Sequence, residues 1–198
     1  MIKKKPNSEY YELKKEGLKL LEELSEADLI DIYYGDESRV CENGYVPYGW
    51  QFPDEKVGIL AQRGQYINIF GMISRDNRFF FETTQGKGTS EFVINTLDKF
   101  AQTLSKKTVL VLDNCSIHKS KEFMAKIDQW QEQNLFIFYL PPYSPHLNIC
   151  ERVWKELKAR WVRVQDYVDF QTLKLRVLHV MQNIGKLYTI DYADFKFS

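Results

Sequence analysis

Thr108-Val-Leu-Val-Leu-Asp-Asn114 is the stretch that decides how this chain folds. It is an almost wholly apolar run that stops on an acid. Such a run suits a strand covered on both faces, and in open α/β sheets ligands sit at the carboxyl ends of such strands. A second apolar run, Leu135 to Leu140, follows a helical pattern over Ser120–Gln133 that turns Phe123, Ile127 and Trp130 to one side. Strand, helix, strand in that order is a parallel crossover. Upstream, Thr89 and Glu91 open another helix, carrying Phe92, Val93, Leu97, Phe100 and Leu104.

The chain before these crossovers alternates with period two. Ile30, Ile32, Tyr34 and Asp36 share one face of a strand over Leu29–Gly35 that closes on Asp36. Tyr66–Ser74 and Arg78–Thr84 flank a Ser74-Arg-Asp-Asn77 turn and read as an antiparallel pair. Residues 38–63, with Asn43-Gly44, Pro47, Gly49 and Pro53, read as an irregular excursion or hairpin, and Trp50 there as a sheet cover or subunit contact. Tyr10–Leu24 is predicted helical, with Tyr10, Leu13, Gly17, Leu20, Leu21 and Leu24 on one stripe. A proline-stiffened loop from Leu140 leads into a helix from Ile149 to about Trp161, with Val153, Leu157 and Trp161 inward. A last helix spans Phe170–Asn183, with Gly185 as C-cap. Hairpin first and crossovers after predict an α/β fold, a mixed sheet with helices on its faces.

Composition bounds the function loosely. Lys+Arg and Asp+Glu both number 27, so the chain is neutral, which counts mildly against gripping nucleic acid. Charge is unevenly spread, however: residues 28–55 are acidic, whereas Arg152, Lys155, Lys158, Arg160 and Arg163 outnumber the acids around them. Cys41, Cys115 and Cys150 make no disulfide framework and suit a reducing compartment. With no signal peptide or membrane span visible, the expected location is the cytoplasm.

Three acids at element ends, Asp36, Asp113 and Glu151, point to a divalent-cation site, yet each has a bland alternative. Asp113-Asn114 is also a turn pair. Asn148-x-x-Glu151 is also the pattern of a capping box. Glu37 could replace Asp36, although alternation sets it on the opposite face. Glu151, Lys155 and Lys158 share a helix flank that would serve a metal and then a phosphate backbone, or simply be a solvated face. Cys115-x-x-His118 with His146-x-x-x-Cys150 offers a zinc alternative.

Three strings narrow the choice: Tyr-Gly-Asp36-Glu-Ser, Leu-Val-Leu-Asp113-Asn-x-x-x-His118, and Pro-Pro-Tyr-Ser-Pro-x-Leu-Asn148-x-x-Glu151-x-x-Trp154-x-x-Leu-Lys158. Together they resemble the DDE transposases of the mariner superfamily, in particular the bacterial insertion-sequence branch. Residues 114–150 between the second and third acids make a gap close to the family's usual one. The likeness covers roughly residues 28 to 165. It implies a ribonuclease-H-like mixed sheet flanked by helices over 28–185, after an N-terminal helical extension (1–27) and before a C-terminal tail (186–198). It also implies that Asp36, Asp113 and Glu151 are the catalytic acids and hold two Mg²⁺ or Mn²⁺ ions for cleaving transposon ends and joining them to target DNA. His118, Arg152, Lys155 and Lys158 become the expected DNA contacts, with His118 alternatively ordering the strand-end loop. A homodimer is expected, in a prokaryotic cytoplasm and on the nucleoid when bound to DNA. The alternatives left are a nuclease without strand transfer and an inactive remnant that only binds DNA or a partner.

The chain departs from the family pattern in three places. Position 146, usually an acid, is His; the usual Pro-Ile before the glutamate is Ile149-Cys150. Residues 1–27 are too few for the family's helix-turn-helix region, which the resemblance then assigns to a separate polypeptide, unless the chain is a truncated form.

Overall fold

The computed structural model describes residues 8–42, 64–193 and 195. The Asn43–Pro53 turn signals and Trp50 lie outside the described residues. A helix α1 (Ser8–Glu26) leads into strand β1 (Asp31–Cys41), then β2 (Tyr66–Ile73) and β3 (Phe79–Thr84). Helix α2 (Ser90–Ala101), capped by the Thr89 hydroxyl, leads to β4 (Thr108–Leu112). Two short helices, α3 (Lys121–Met124) and α4 (Ile127–Glu132), precede β5 (Leu135–Tyr139), and α5 (Cys150–Glu156) and α6 (Phe170–Gln182) follow it.

The strands form one mixed sheet in the order β3-β2-β1-β4-β5. β1 pairs antiparallel with β2 and parallel with β4, and β4 pairs parallel with β5. β4 is buried along its whole length, as its apolar run requires, whereas β5 is an edge strand and only half-buried beyond Leu135. Period-two alternation divides the core. Ile32, Tyr34, Val153, Leu157 and Val177 pack on the α1–α5–α6 side, and Tyr33, Phe70, Leu97, Phe123 and Trp130 on the α2–α3–α4 side.

Several boundaries differ from expectation. β1 does not close on Asp36; it runs on to Cys41, because Ser38, Arg39 and Val40 continue the antiparallel ladder with Ile69, Asn68 and Ile67. The predicted helix over Ser120–Gln133 breaks at Ala125-Lys126 into α3 and α4. The helix bearing Glu151 widens after Glu156 into a π turn, Leu157–Trp161, in which Val162 N–H bonds to Leu157 O at 2.9 Å. The last helix is capped by Asn183, and Gly185 lies beyond it in left-handed backbone, φ 81°. The stripe expected on α1 is out of phase: Leu13 and Leu20 are exposed, and Leu18 is fully buried. Its inward face is partly polar. Glu22 accepts from the Tyr34 hydroxyl and meets Arg75 Nε at 2.6 Å, and Lys14 lies 4.5 Å from the Phe138 ring centre. Apolar spacing alone misplaces such a face. Ile190 is also held by a specific bond, since Asn77 Oδ1 accepts from its N–H at 2.8 Å. No described helix is long and apolar enough to cross a membrane.

Candidate active site

Parallel pairing between β1 and β4 ends at Tyr34 and Val111. Beyond it β1 continues along β2 alone, and the chain after Leu112 turns away, so the sheet splits at this rim. Asp36 stands on the β1 side of the split and Asp113 immediately follows β4. The loop before α5 is stitched to the same rim: Asn148 Nδ2 donates to Gly35 O at 3.0 Å, and Asn114 Nδ2 donates to Leu140 O. Asn148 Oδ1 accepts from Cys150 N–H at 3.0 Å. Asn148 therefore serves the sheet; the residue capping α5 is Ile149, without a side-chain bond, and the capping box with Glu151 does not form.

Asp36, Asp113 and Glu151 line one hollow of about 460 Å³, with Lys119, Pro142 and Tyr143 among its walls. Tyr143 is 81% exposed and held at φ 59°, a left-handed backbone uncommon outside glycine. Glu37 is not on this wall. Period two turns it to the other face of β1, toward His118.

Each acid has its own setting. Trp154 Nε1–H donates to Asp36 Oδ2 at 3.0 Å. Burial, then Glu151, Glu37 and Asp113 in turn, push the Asp36 carboxyl up to about 8. Burial also lifts Glu151, with Asp113 adding to the rise and Lys158 opposing it. Burial pushes Asp113 the same way, but bonds from His118 and the Cys115 N–H outweigh it and hold the carboxyl below its ordinary value. The donor set is all hard oxygen, and like-charge repulsion raises the proton affinity of Asp36 and Glu151. That is the chemistry a small divalent cation relieves.

Around His118 the arrangement is tight. The ring is fully buried between Phe70 and Phe123. Burial disfavours its charged form, yet Asp113, Cys115 and Glu37 together take it up to about 12. A side chain so enclosed cannot reach a DNA phosphate, which corrects that half of the expectation; ordering the strand-end loop is what its contacts do. The zinc set is not assembled either. His146 Nε2 pairs with the exposed Tyr11 hydroxyl at 2.8 Å, and buried Cys150 Sγ points to Gly71 O. Glu37, Cys115 and His118 do bring one ligand atom each within 4.8 Å of one another. Glu37 faces Nε2, however, and Cys115 faces Nδ1, so the two approach opposite ring nitrogens. That flanks the ring on both sides, by hydrogen bonds at Nδ1 and a charge contact at Nε2, and makes a poor cage for one ion.

Of the expected DNA contacts on α5 and the π turn after it, Lys155 and Lys158 are exposed and border a neighbouring hollow with Arg39 and Tyr167. Arg152 is drawn elsewhere, donating to Asp191 O at 3.0 Å and lying over Phe195. Sequence reasoning missed the bond from Trp154 to Asp36. It also passed over Gly71, which lies opposite Asp36; a Cβ there would fall 2.8 Å from Trp154 Cη2. A glycine inside a strand pattern was the available signal.

Residues 31–174 match the family described as DDE superfamily endonuclease. The 39 kDa protein of insertion element IS630 from Shigella sonnei is 26% identical over 160 residues, covering 78% of this chain and 45% of that protein. The chain thus spans about half the length of the curated relative it matches. Among solved structures, the Mos1 transposase paired-end complex with left transposon end aligns with TM-score 0.63 at 13% identity, over 97% of this chain and 59% of that one. The Mos1 strand transfer complex gives 0.59 at 14% identity, over 97% and 58%. The HTLV-2 integrase catalytic core domain gives 0.51 at 12% identity, over 81% and 89%. These likenesses bear out the expected ribonuclease-H-like mixed sheet.

Proposed function

This chain belongs to the DDE superfamily of endonucleases, and from that premise we propose that it is a transposase catalytic core that cleaves DNA at transposon ends and transfers the cut strand into target DNA. The observation that carries the reading is the meeting of Asp36, Asp113 and Glu151 around one hollow at the split of the sheet. Those three carboxylates would hold two Mg²⁺ or Mn²⁺ ions, in line with the Mg and Mn named for solved relatives. Bound there, the ions supply Lewis-acid stabilisation of the attacking and leaving oxygens and lower the pKa of an attacking water.

The protein's own share is positional. Cys115 N–H and His118 fix one Asp113 oxygen, and Trp154 fixes one of Asp36. Glu151 enters from α5, whose loop is tied to Gly35 by Asn148. Lys119 offers the hollow a positive charge for a phosphate oxygen. Lys155 and Lys158 extend that charge along the helix flank, where a DNA backbone would run. Because ions held there would activate any oxygen nucleophile placed in line, water and a DNA 3′-hydroxyl are interchangeable, and cleavage and joining can share one site. Action as a pair of copies, with a helix-turn-helix polypeptide reading the transposon end, completes the proposal.

Joining of a pre-cut insertion-sequence end to plasmid DNA in Mg²⁺ or Mn²⁺ tests it. Asp113→Asn should lose at least about a hundredfold in joining rate with DNA binding retained. Unchanged joining in that variant refutes the assignment, and hydrolysis without joining in the parent would make the protein a plain nuclease.

A further inference from the structure

Glu37 is left without a part in the reading above, although its setting is specific. On β1 it turns away from the hollow, and its Oε1 is shut off from solvent. Among the described residues it forms its ion pair with His118 Nε2, at 3.4 Å. That nitrogen is equally enclosed, and neither atom has a hydrogen-bond partner among the described residues. The other ring nitrogen, Nδ1, lies 3.0 Å from Asp113 Oδ1 and 3.3 Å from the Asp113 carbonyl. Asp113 Oδ1 also accepts from Cys115 N–H at 3.0 Å. The turn bearing the ring is pinned in its own right, since the Tyr139 hydroxyl donates to His118 O at 2.7 Å. A continuous row of contacts thus runs from Glu37 through the imidazole to the carboxylate after β4.

We propose that Glu37 is a positioning residue: acting through His118, it sets the orientation of the Asp113 carboxylate for metal binding. The contacts from His118 and Cys115 both end on Oδ1, so the second oxygen is the one left to a ligand. A buried histidine with a carboxylate behind it keeps one ring orientation; without the carboxylate, Nε2 is enclosed with no counter-group and the ring loses its reason to stay. Outer groups of this kind typically alter metal affinity by 10–100-fold when removed. Cys115 does not substitute for Glu37, because its thiol meets the same nitrogen that already faces Asp113.

This inference rests on the proposed metal site, and one experiment separates their failures. Mn²⁺ is titrated by electron paramagnetic resonance into the full chain and its variants, with thermal melting of each metal-free protein alongside. The parent should show Mn²⁺ binding that Asp113→Asn removes. Glu37→Gln, of the same size without the charge, should bind Mn²⁺ about tenfold more weakly. His118→Ala should lose as much or more, and His118→Asn, whose amide can donate from near the place of Nδ1, should recover part of the loss. A purely structural role would lower the melting temperature without following that order of affinities. If Glu37→Gln does not fold, the two His118 variants carry the same comparison. Parent-like affinity in Glu37→Gln, or in His118→Ala, overturns the positioning role alone; a parent without the Mn²⁺ site overturns both proposals.

Discussion

The proton on Asp36 links the site to pH. Its carboxyl is pushed from an ordinary 3.8 up to about 8, first by burial and then by Glu151, Glu37 and Asp113. A carboxyl raised in the fold stabilises the metal-free protein fully below its unfolded pKa, and that contribution is lost as pH rises through about 8. Metal must displace the proton, so apparent Mn²⁺ affinity should climb with pH by up to about tenfold per unit and level off above pH ~8. Titrations at a series of pH values check this, and a flat profile would show that Asp36 is already ionised at neutrality. In Asp36→Asn, the metal-free protein should lose the fall in melting temperature that the parent shows as pH rises from the carboxyl's ordinary 3.8 to about 8. Asp113 moves the opposite way, held low by His118 and the Cys115 N–H, so carboxylates around one hollow titrate apart. Such separation arises from their different partners and is common where groups have different tasks.

Between elements, the exact register of β1 against β2 decides whether Trp154 can reach Asp36. Gly71 sits opposite Asp36, and a methyl there would lie 2.7 Å from Phe79 Cζ and 2.8 Å from the indole. Gly71→Ala should therefore destabilise the fold by about 1–3 kcal/mol by overpacking and weaken Mn²⁺ binding as the indole shifts; urea unfolding and metal titration report the two effects separately. None of this was legible in one dimension, because a glycine's importance depends on what lies across the ladder from it. The wholly buried β4 was legible, since its apolar run can belong to little else. The far half of β1 was not: Ser38 and Arg39 interrupt the apolar pattern, and only pairing with β2 keeps them in the strand. Asp36 was thus placed on the correct face and in the wrong part of the strand. The Glu37–His118 contact was hidden for a similar reason, its partners being remote in the chain. The bond from Asn148 to Gly35 was not legible either, because one amide suits a helix cap and a sheet rim equally well.

For the molecule as a whole, zero net charge conceals a division of labour. The acids gather at the split rim, while Lys155 and Lys158 remain exposed on the neighbouring helix. Replacing both lysines by alanine should weaken binding to any DNA sequence and flatten the log–log salt slope by about 0.9 per lost phosphate contact; fluorescence anisotropy across a salt series measures it. An unaltered slope would move the DNA path off this flank. The split itself has a consequence for how the polypeptide acquires its shape. Asp36 belongs to a local antiparallel meander, whereas Asp113 reaches it only after β4 has docked beside β1, a closure between distant parts of the chain that is slow by its topology. The meander can therefore form before its acid meets the other two. Repulsion between Asp36 and Asp113 thus arises only where β4 meets β1, and a cation held by the proposed site would offset it at that seam.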